Sequence, residues 1–493
     1  MNLSRNIGLN TVVRISTSIG EKLLVFGFMA VFARRLGSEQ LGVYTFALSW
    51  TVFFRLLTDW GLNAITIRRL STAPAEVRPA LFGAILSLRL LLTTAAGLIS
   101  VLALALTRMP VLTKVAVAIA ALTLADVISD TFGLVLQAEL RQTWQGIAEF
   151  CTRALWSILA IAAVLRGGDV LLLLGILGLS SLVQAGVLAC CAYRLLQYRP
   201  NIRVDLWKEV LEESWPLALQ ALMSTIYLRM DHLLLFQMSG AAALGYYAAA
   251  TKLAEPWGLG AGVFISAIYP LLCRFYGPDR LRFEKLARYA HRYLFAAIFA
   301  LVAIATLYSP EILRLVFGAD FVKSSNAFVL LMWAEIFLFA NMSSHAVLVA
   351  AGLQRITLFL TLAAAVANIV LNLLLIPRFG IAGAAWASFF SYPMYCITQT
   401  LVRRTRPFAW LIWKAMWRPF VAAAAVCAIF RFAVAVSFLV GIFAVPALYL
   451  VVLTLLGGLN FNDLAVLRAS IRPEAANVTD QAAAEPAVQT GTQ

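Results

Sequence analysis

Residues 226–236 read IYLRMDHLLLF, which puts Arg229, Asp231 and His232 inside a run otherwise suited to lipid. An ionisable side chain deep in a bilayer is expensive, so it signals a partner, an ion or proton path, or a wet cavity. Cations so placed can replace the hydration of an anion, and carboxylates can bind a proton or a metal cation. More such groups follow the same pattern. Glu21 and Lys22 are adjacent, Lys252 and Glu255 are spaced i,i+3, and Arg55–Asp59 and Glu149–Arg153 are spaced i,i+4. Arg89, Asp126, Asp130 and Glu335 are also embedded in apolar runs, and spacing assigns them no partner.

Helical geometry sorts these groups. Counted from Leu217 at 1.5 Å per residue, Arg229 lies about 18 Å along its helix, near mid-membrane. Asp231 is two positions on and points to another side, so it cannot simply neutralise Arg229. Both therefore need partners on other helices, or water. His232 reads as a satisfied packing histidine rather than a proton carrier. The i,i+4 pairs can each close on their own helix and read as structural. Lys252 and Glu255 immediately precede Pro256 and the glycines of WGLGAG, where a proline removes a backbone hydrogen bond and kinks the helix toward a cavity. Glu21 and Lys22 sit about 100° apart on the first helix and should face a bundle interior.

The elements that hold these groups follow from composition. The chain has 493 residues, 62% hydrophobic and 13% charged, with a mean hydropathy of +0.86. That balance excludes a soluble globular protein and predicts an all-α integral membrane protein. A net charge of +15 raises the question of nucleic acid, but the Lys and Arg residues fall in loops between apolar runs, as the positive-inside rule requires. The six cysteines lack metal-ligand spacing and read as small buried hydrophobes. The N-terminal MNLSRNIGLNTVVRIST lacks the compact core of a cleavable signal peptide, so the first apolar segment is expected to be retained.

A spanning helix needs about 20 apolar residues. Such runs fall near 11–33, 41–62, 80–106, 110–136, 143–165, 169–195, 215–238, 243–272, 293–309, 326–350, 356–376, 381–402, 409–430 and 433–457, about fourteen in all. With both termini in the cytoplasm, nineteen Lys and Arg residues fall on the inner side against nine on the outer, which favours that orientation and an even number of spans. The basic, partly amphipathic stretch RFYGPDRLRFEKLARYAHRY (274–293) reads as a positive-inside loop, with a cytoplasmic surface helix that first meets an anionic head group as the alternative. The Ala-, Gln- and Pro-rich end is expected to be a disordered cytoplasmic tail, and its Asn477-Val478-Thr479 a chance sequon.

The chain also repeats itself. Leu41-Gly42-Val43-Tyr44 and Leu244-Gly245-Tyr246-Tyr247 are 203 residues apart, and each follows a glycine, Gly37 or Gly240, at that same offset. A duplicated block is the expected origin, a common construction in transporters.

Three stretches carry a resemblance: ARRLGSEQLGVYTFA (33–47) with DWGLNAITIRRL (59–70), RMDHLLLFQMSGAAALGYYAAATKLAEP (229–256), and NIVLNLLLIPRFGIAGAAWASFFSY (368–392). The chain resembles the polysaccharide (O-antigen type) flippases of the multidrug/oligosaccharidyl-lipid/polysaccharide exporter superfamily. The resemblance implies two pseudo-symmetric six-helix lobes, 1–200 and 201–405, in a V around a central cavity. It also implies an additional helix pair at 406–460, ahead of the tail at 461–493. The implied function is flipping a polyprenyl-diphosphate-linked oligosaccharide across the bacterial inner membrane by alternating access. On that reading Arg229, Lys252, Lys22 and Arg55 are the candidate substrate-cavity residues. Asp231, Glu255, Glu21 and Asp59 are the candidate coupling-ion or proton groups. No cofactor or metal site is expected, and the partners are the lipid-linked oligosaccharide, membrane lipids and polysaccharide synthesis and polymerase proteins, with no nucleic acid.

Two other functions compete. A multidrug/cation antiporter of the same superfamily would favour an acidic cavity, whereas the candidate cavity groups here are largely cationic. A membrane-embedded glycosyltransferase or ligase would need a sizeable extramembrane loop. The longest outer loop, near 310–325, holds only Glu311, Arg314, Asp320 and Lys323. There is no G-x-x-x-x-G-K-[ST] phosphate loop and no nucleophile–base constellation, so transport is expected rather than catalysis.

Overall fold

A computed structural model describes residues 3–139, 141–433 and 436–459. The tail expected at 461–493 lies outside the described residues. The chain runs α1 (Leu3–Asp59), α2 (Leu62–Thr72), α3 (Arg78–Ala105), α4 (Val111–Ala120), α5 (Ala125–Ala138), α6 (Gln142–Leu165) and α7 (Val170–Leu196). It continues through α8 (Val204–Ala254), α9 (Trp257–Phe275), α10 (Arg280–Val316), α11 (Ser325–Ala350), α12 (Gln354–Leu401), α13 (Arg406–Ala428) and α14 (Phe438–Leu455). No strand occurs among the described residues, and the fold is all-helical as the composition requires.

Among the described residues, eleven helical stretches are long and apolar enough to cross a membrane, against the fourteen runs counted from sequence. The difference has a local cause. Three stretches, Gly20–Thr72, Val204–Phe275 and Gln354–Leu401, are each split into two arms by a glycine at positive φ: Gly37 (φ 76°), Gly240 (φ 85°) and Gly380 (φ 54°). Only glycine adopts that backbone without a steric penalty, so the helix can break and resume in a new direction within one residue.

Helices α1–α7 pack mainly on one another, α8–α14 do likewise, and the main contact between the groups is α1 on α8. At that crossing the duplicated motif meets itself. A side chain on Gly42 would overlap the Ala241 carbonyl, and one on Gly245 would overlap the Ser38 carbonyl. Ala241 and Ser38 are themselves 203 residues apart, so the two contacts are the same contact made twice about a pseudo-twofold axis. Phe46 stacks on Phe236 beside it, with ring centroids 4.0 Å apart. The added helices α13 and α14 pack on α10, where Gly441 lies under the Tyr308 ring.

Two sequence expectations change. Residues 274–293 are not a loop: Asp279 caps a helix by accepting from the Arg282 amide at 2.9 Å. Phe283, Leu286, Ala287 and Ala290 then bury a stripe against Ile268, Leu272 and Val347, so α10 starts well before its apolar run. Nor are the cysteines uniformly buried. Cys396 is, but Cys151, Cys190 and Cys273 are exposed, because the outer face of a membrane bundle meets lipid and needs no protein cover.

The crossing yields a stability prediction. Gly42→Val or Gly245→Val forces two backbones apart and should cost about 3 kcal/mol or more, seen as a lower melting temperature in detergent. Gly27→Ala, which meets nothing within 4 Å, should melt like the wild type.

Candidate functional site

A cavity of about 680 Å³ opens between the two groups of helices. One wall is the first arm of α1, with Lys22, Val25, Phe26 and Met29; the others come from α8, α9, α11 and α12. Its mouth is shaped by the break at Pro256. Lacking an N–H, the proline ends α8, and the chain turns through the Gly258 amide bonding the Glu255 carbonyl (3.1 Å) and the Leu259 amide bonding the Pro256 carbonyl (3.2 Å). Gly258 and Gly262 then line the space with no side chain to fill it.

Three cations face this cavity: Lys22, Arg229 and Lys252. Arg229 is held from below by a fork-to-fork pair with Glu255, at 2.8 Å and 3.3 Å. Lys22 and Lys252 make no ion pair among the described residues. Glu255 and Glu335 are the carboxylates of the wall, with Tyr392 close by. Glu335 is 4% exposed, and its Oε2 has no hydrogen-bond partner. Fixed ammonium and guanidinium groups beside an open volume are the equipment for holding an anionic group in place of its water.

Asp231 turns away from Arg229, as its spacing required. Its Oδ2 accepts from the Tyr247 hydroxyl at 2.5 Å and its Oδ1 from the His232 amide at 2.8 Å. The same tyrosine hydroxyl lies 3.4 Å from Ser388 Oγ. His232 is fully packed, with Nδ1 2.8 Å from Ser49 Oγ on α1, the structural role its surroundings predicted.

The remaining sequence candidates gather elsewhere. Within α1–α7, a small polar cavity of about 160 Å³ is lined by Glu21, Arg55, Asp126, Asp130, Glu149, Arg153 and Gln184. The i,i+4 pairs expected there give way to pairs between helices. Arg55 bonds Asp130 at 2.6 Å, Arg153 reaches Asp126 (3.2 Å) and Glu21 (3.4 Å), and Asp59 pairs with the fully buried Arg89 at 3.1 Å. Glu149 accepts from Gln145 at 2.8 Å. The reason is energetic. A pair along one helix contributes tenths of a kcal/mol, whereas leaving Asp126, Asp130 or Arg89 without a partner costs several. Arg55 thus lies away from the large cavity, and Glu21 and Lys22 part company: one turns to this cluster, the other to the cavity. Sequence reasoning saw Glu335 only as an embedded charge; what places it in the wall is the approach of α11 to α8.

Arg89 and Asp59 give a test of this pairing. Asp59→Asn should leave an uncompensated buried guanidinium and cost about 3 kcal/mol in thermal melts. The double variant Arg89→Met/Asp59→Asn should lose at least 1 kcal/mol less than the two singles together, as coupled neighbours do.

Comparison with known proteins gives the same direction. The solved lipid II flippase MurJ, in an inward closed conformation, superposes with a TM-score of 0.74 at 14% identity, covering 92% of this chain and all of that one. A multidrug resistance MATE family transporter of the MOP superfamily in its inward-facing conformation gives 0.64 at 17% identity, over 82% of this chain and 99% of that one. An outward-facing MATE family transporter gives 0.51 at 16% identity, over 83% and 95%. At these identities the likeness is one of fold. The capsular polysaccharide biosynthesis protein CapF of Staphylococcus aureus is 23% identical over 194 residues, 38% of this chain, and the match spans about half (48%) of that relative. The model of the polysaccharide biosynthesis protein family matches residues 7–276. The resemblance drawn from the motifs is borne out, and with more than half of its length matched, the chain belongs to the polysaccharide biosynthesis protein family.

Proposed function

We propose that this protein is a flippase that moves a polyprenyl-diphosphate-linked oligosaccharide across the bacterial inner membrane for surface polysaccharide export. The observation that carries the reading is the cationic cavity of a family member: among the described residues Lys22 and Lys252 stand without ion pairs beside Arg229. An anionic diphosphate crossing a bilayer needs such groups along a shielded, wet path, while its tail needs none and can remain in lipid. At Arg229 the diphosphate would compete with Glu255 for the same fork of donors. A cation-exporting antiporter, the reading that the MATE likeness brings with it, would want the opposite balance of charge.

The same proposal covers the chain's organisation. Counting the arms on either side of Gly37, Gly240 and Gly380 separately turns eleven stretches into fourteen crossings, with both termini cytoplasmic. The lobes are then 1–200 and 201–405, followed by the pair at 406–460. The better match to inward-facing than to outward-facing relatives supports an inward state. Among the four coupling candidates, Glu255, Glu21 and Asp59 each have an arginine partner. Asp231 has no cation partner among the described residues, accepts from the Tyr247 hydroxyl and a backbone amide, and stays a coupling candidate. No step of the reading requires catalysis, and the synthesis and polymerase proteins that make and consume the lipid-linked glycan are the proposed partners.

Deleting the gene should trap polyprenyl-linked oligosaccharide on the cytoplasmic leaflet and deplete surface glycan. Normal glycan together with raised drug sensitivity would favour the antiporter. Arg229→Ala, if it reaches the membrane at normal levels, should lower glycan export at least tenfold; export at the wild-type rate would remove Arg229 from the substrate path. Arg55→Ala, away from the cavity, should lower export far less.

A further inference from the structure

Glu335 is the anomaly of the cavity wall. It sits in the middle of α11 with its side chain 4% exposed, and no cation lies within ion-pair distance among the described residues. Its Oε2 is buried without a hydrogen-bond partner. Among the described residues the embedded carboxylates Glu255, Asp59, Asp130, Asp126 and Glu21 each have an arginine partner, and Asp231 accepts from a tyrosine hydroxyl. A buried ionised carboxylate with no cation partner and one oxygen without a donor costs far more than the same group holding a proton.

The charged and titratable groups around it come from other helices. Lys22 faces the cavity from α1, Arg229 and Lys252 from α8, Glu255 from the α8–α9 break and Tyr392 from α12. Tyr227 of α8 lies behind the wall, bonded to Asn341 of α11 at 3.1 Å. The part of α9 that lines the cavity brings only Ser266 as a polar side chain. Arg229 is occupied by Glu255, and the cavity cations without an ion pair among the described residues are Lys252 and Lys22. Both stand on helices of the α1–α8 crossing, the contact between the two groups of helices.

The geometry points to Glu335 as a proton-binding site of the transport cavity, neutral in the conformation seen here and ionised when Lys252 or Lys22 closes on it. The inference deepens the flippase reading and rests on the cavity being the transport path. The proton passes from the carboxyl to cavity water, leaving a carboxylate that pairs with the ammonium group, and returns from water when the helices part. A group whose two charge states favour different helix arrangements ties proton uptake to the direction in which the cavity opens.

Infrared difference spectra of the full-length protein in lipid nanodiscs, acidic minus alkaline buffer, test this without any substrate. The wild type should show a carbonyl band of a protonated carboxylic acid that disappears as the pH rises. Glu335→Gln should lose that band, and Glu335→Asp, a second variant should the first not fold, should keep it at a shifted frequency. Lys252→Met should carry the disappearance to higher pH, because the ionised form has lost a stabilising cation. A wild-type spectrum without the band, or a band that survives in Glu335→Gln, overturns the site. A disappearance at the same pH in the wild type and in a Lys252→Met/Lys22→Met variant overturns its link to the cavity cations. If these results hold while lipid-linked glycan still crosses normally in cells lacking the protein, the flippase reading fails and the proton site stands.

Discussion

Charge inside hydrocarbon must be matched or wetted, and the arrangement of this protein follows from how each embedded group meets that demand. Within α1–α7 the answer is closure. Arg55, Arg89 and Arg153 each take carboxylates from other helices, and the polar volume left between them is small. Beside α8, α9 and α11 the answer is a cavity, where Lys22 and Lys252 are left facing open space. The two groups of helices thus differ in how their embedded charges are met, although each carries the repeated motif at the crossing.

The cavity wall passes through a change in helical hydrogen bonding at Pro256. Pro256 ends α8 between Lys252 and the glycines of α9, so a cation, a carboxylate and an unfilled surface fall within two turns. Gly37 and Gly240 do a related service at the centre. Each lets its helix restart in the direction that brings Gly42 onto Ala241 and Gly245 onto Ser38, with backbone on backbone. Without side chains at those two points the helices approach closely enough for Phe46 to stack on Phe236 and for Ser49 to reach His232. The crossing is therefore close backbone contact flanked by buried side chains.

Much of this was legible in the order of residues. Apolar run length gave the helices, and a period of 203 residues located the pivot before any coordinate did. The two-residue separation of Arg229 and Asp231 was enough to say they would look for different partners, because a helix turns about 200° in two residues. Boundaries were less legible where an amphipathic stripe extends a helix beyond its apolar run, as α10 does at Phe283 and Leu286. The pairs Arg55–Asp59 and Glu149–Arg153 were misread for a related reason: sequence displays neighbours along one helix and is silent about those across the bundle.

By itself, then, the sequence determined the class of protein, the helices, the repeat and the set of ionisable groups that could not face lipid. These depend on composition and on helical period, which are local. The tertiary structure decided which of those groups are neutralised and which face water, since that depends on which helices approach one another. It separated Lys22 from its neighbour Glu21, paired Arg55 with Asp130 away from the large cavity, and brought Glu335 into the wall with no ion-pair partner among the described residues. Desolvation is the physical reason: the cost of a charge is set by what surrounds it in space, and the chain order fixes only what lies beside it on one helix.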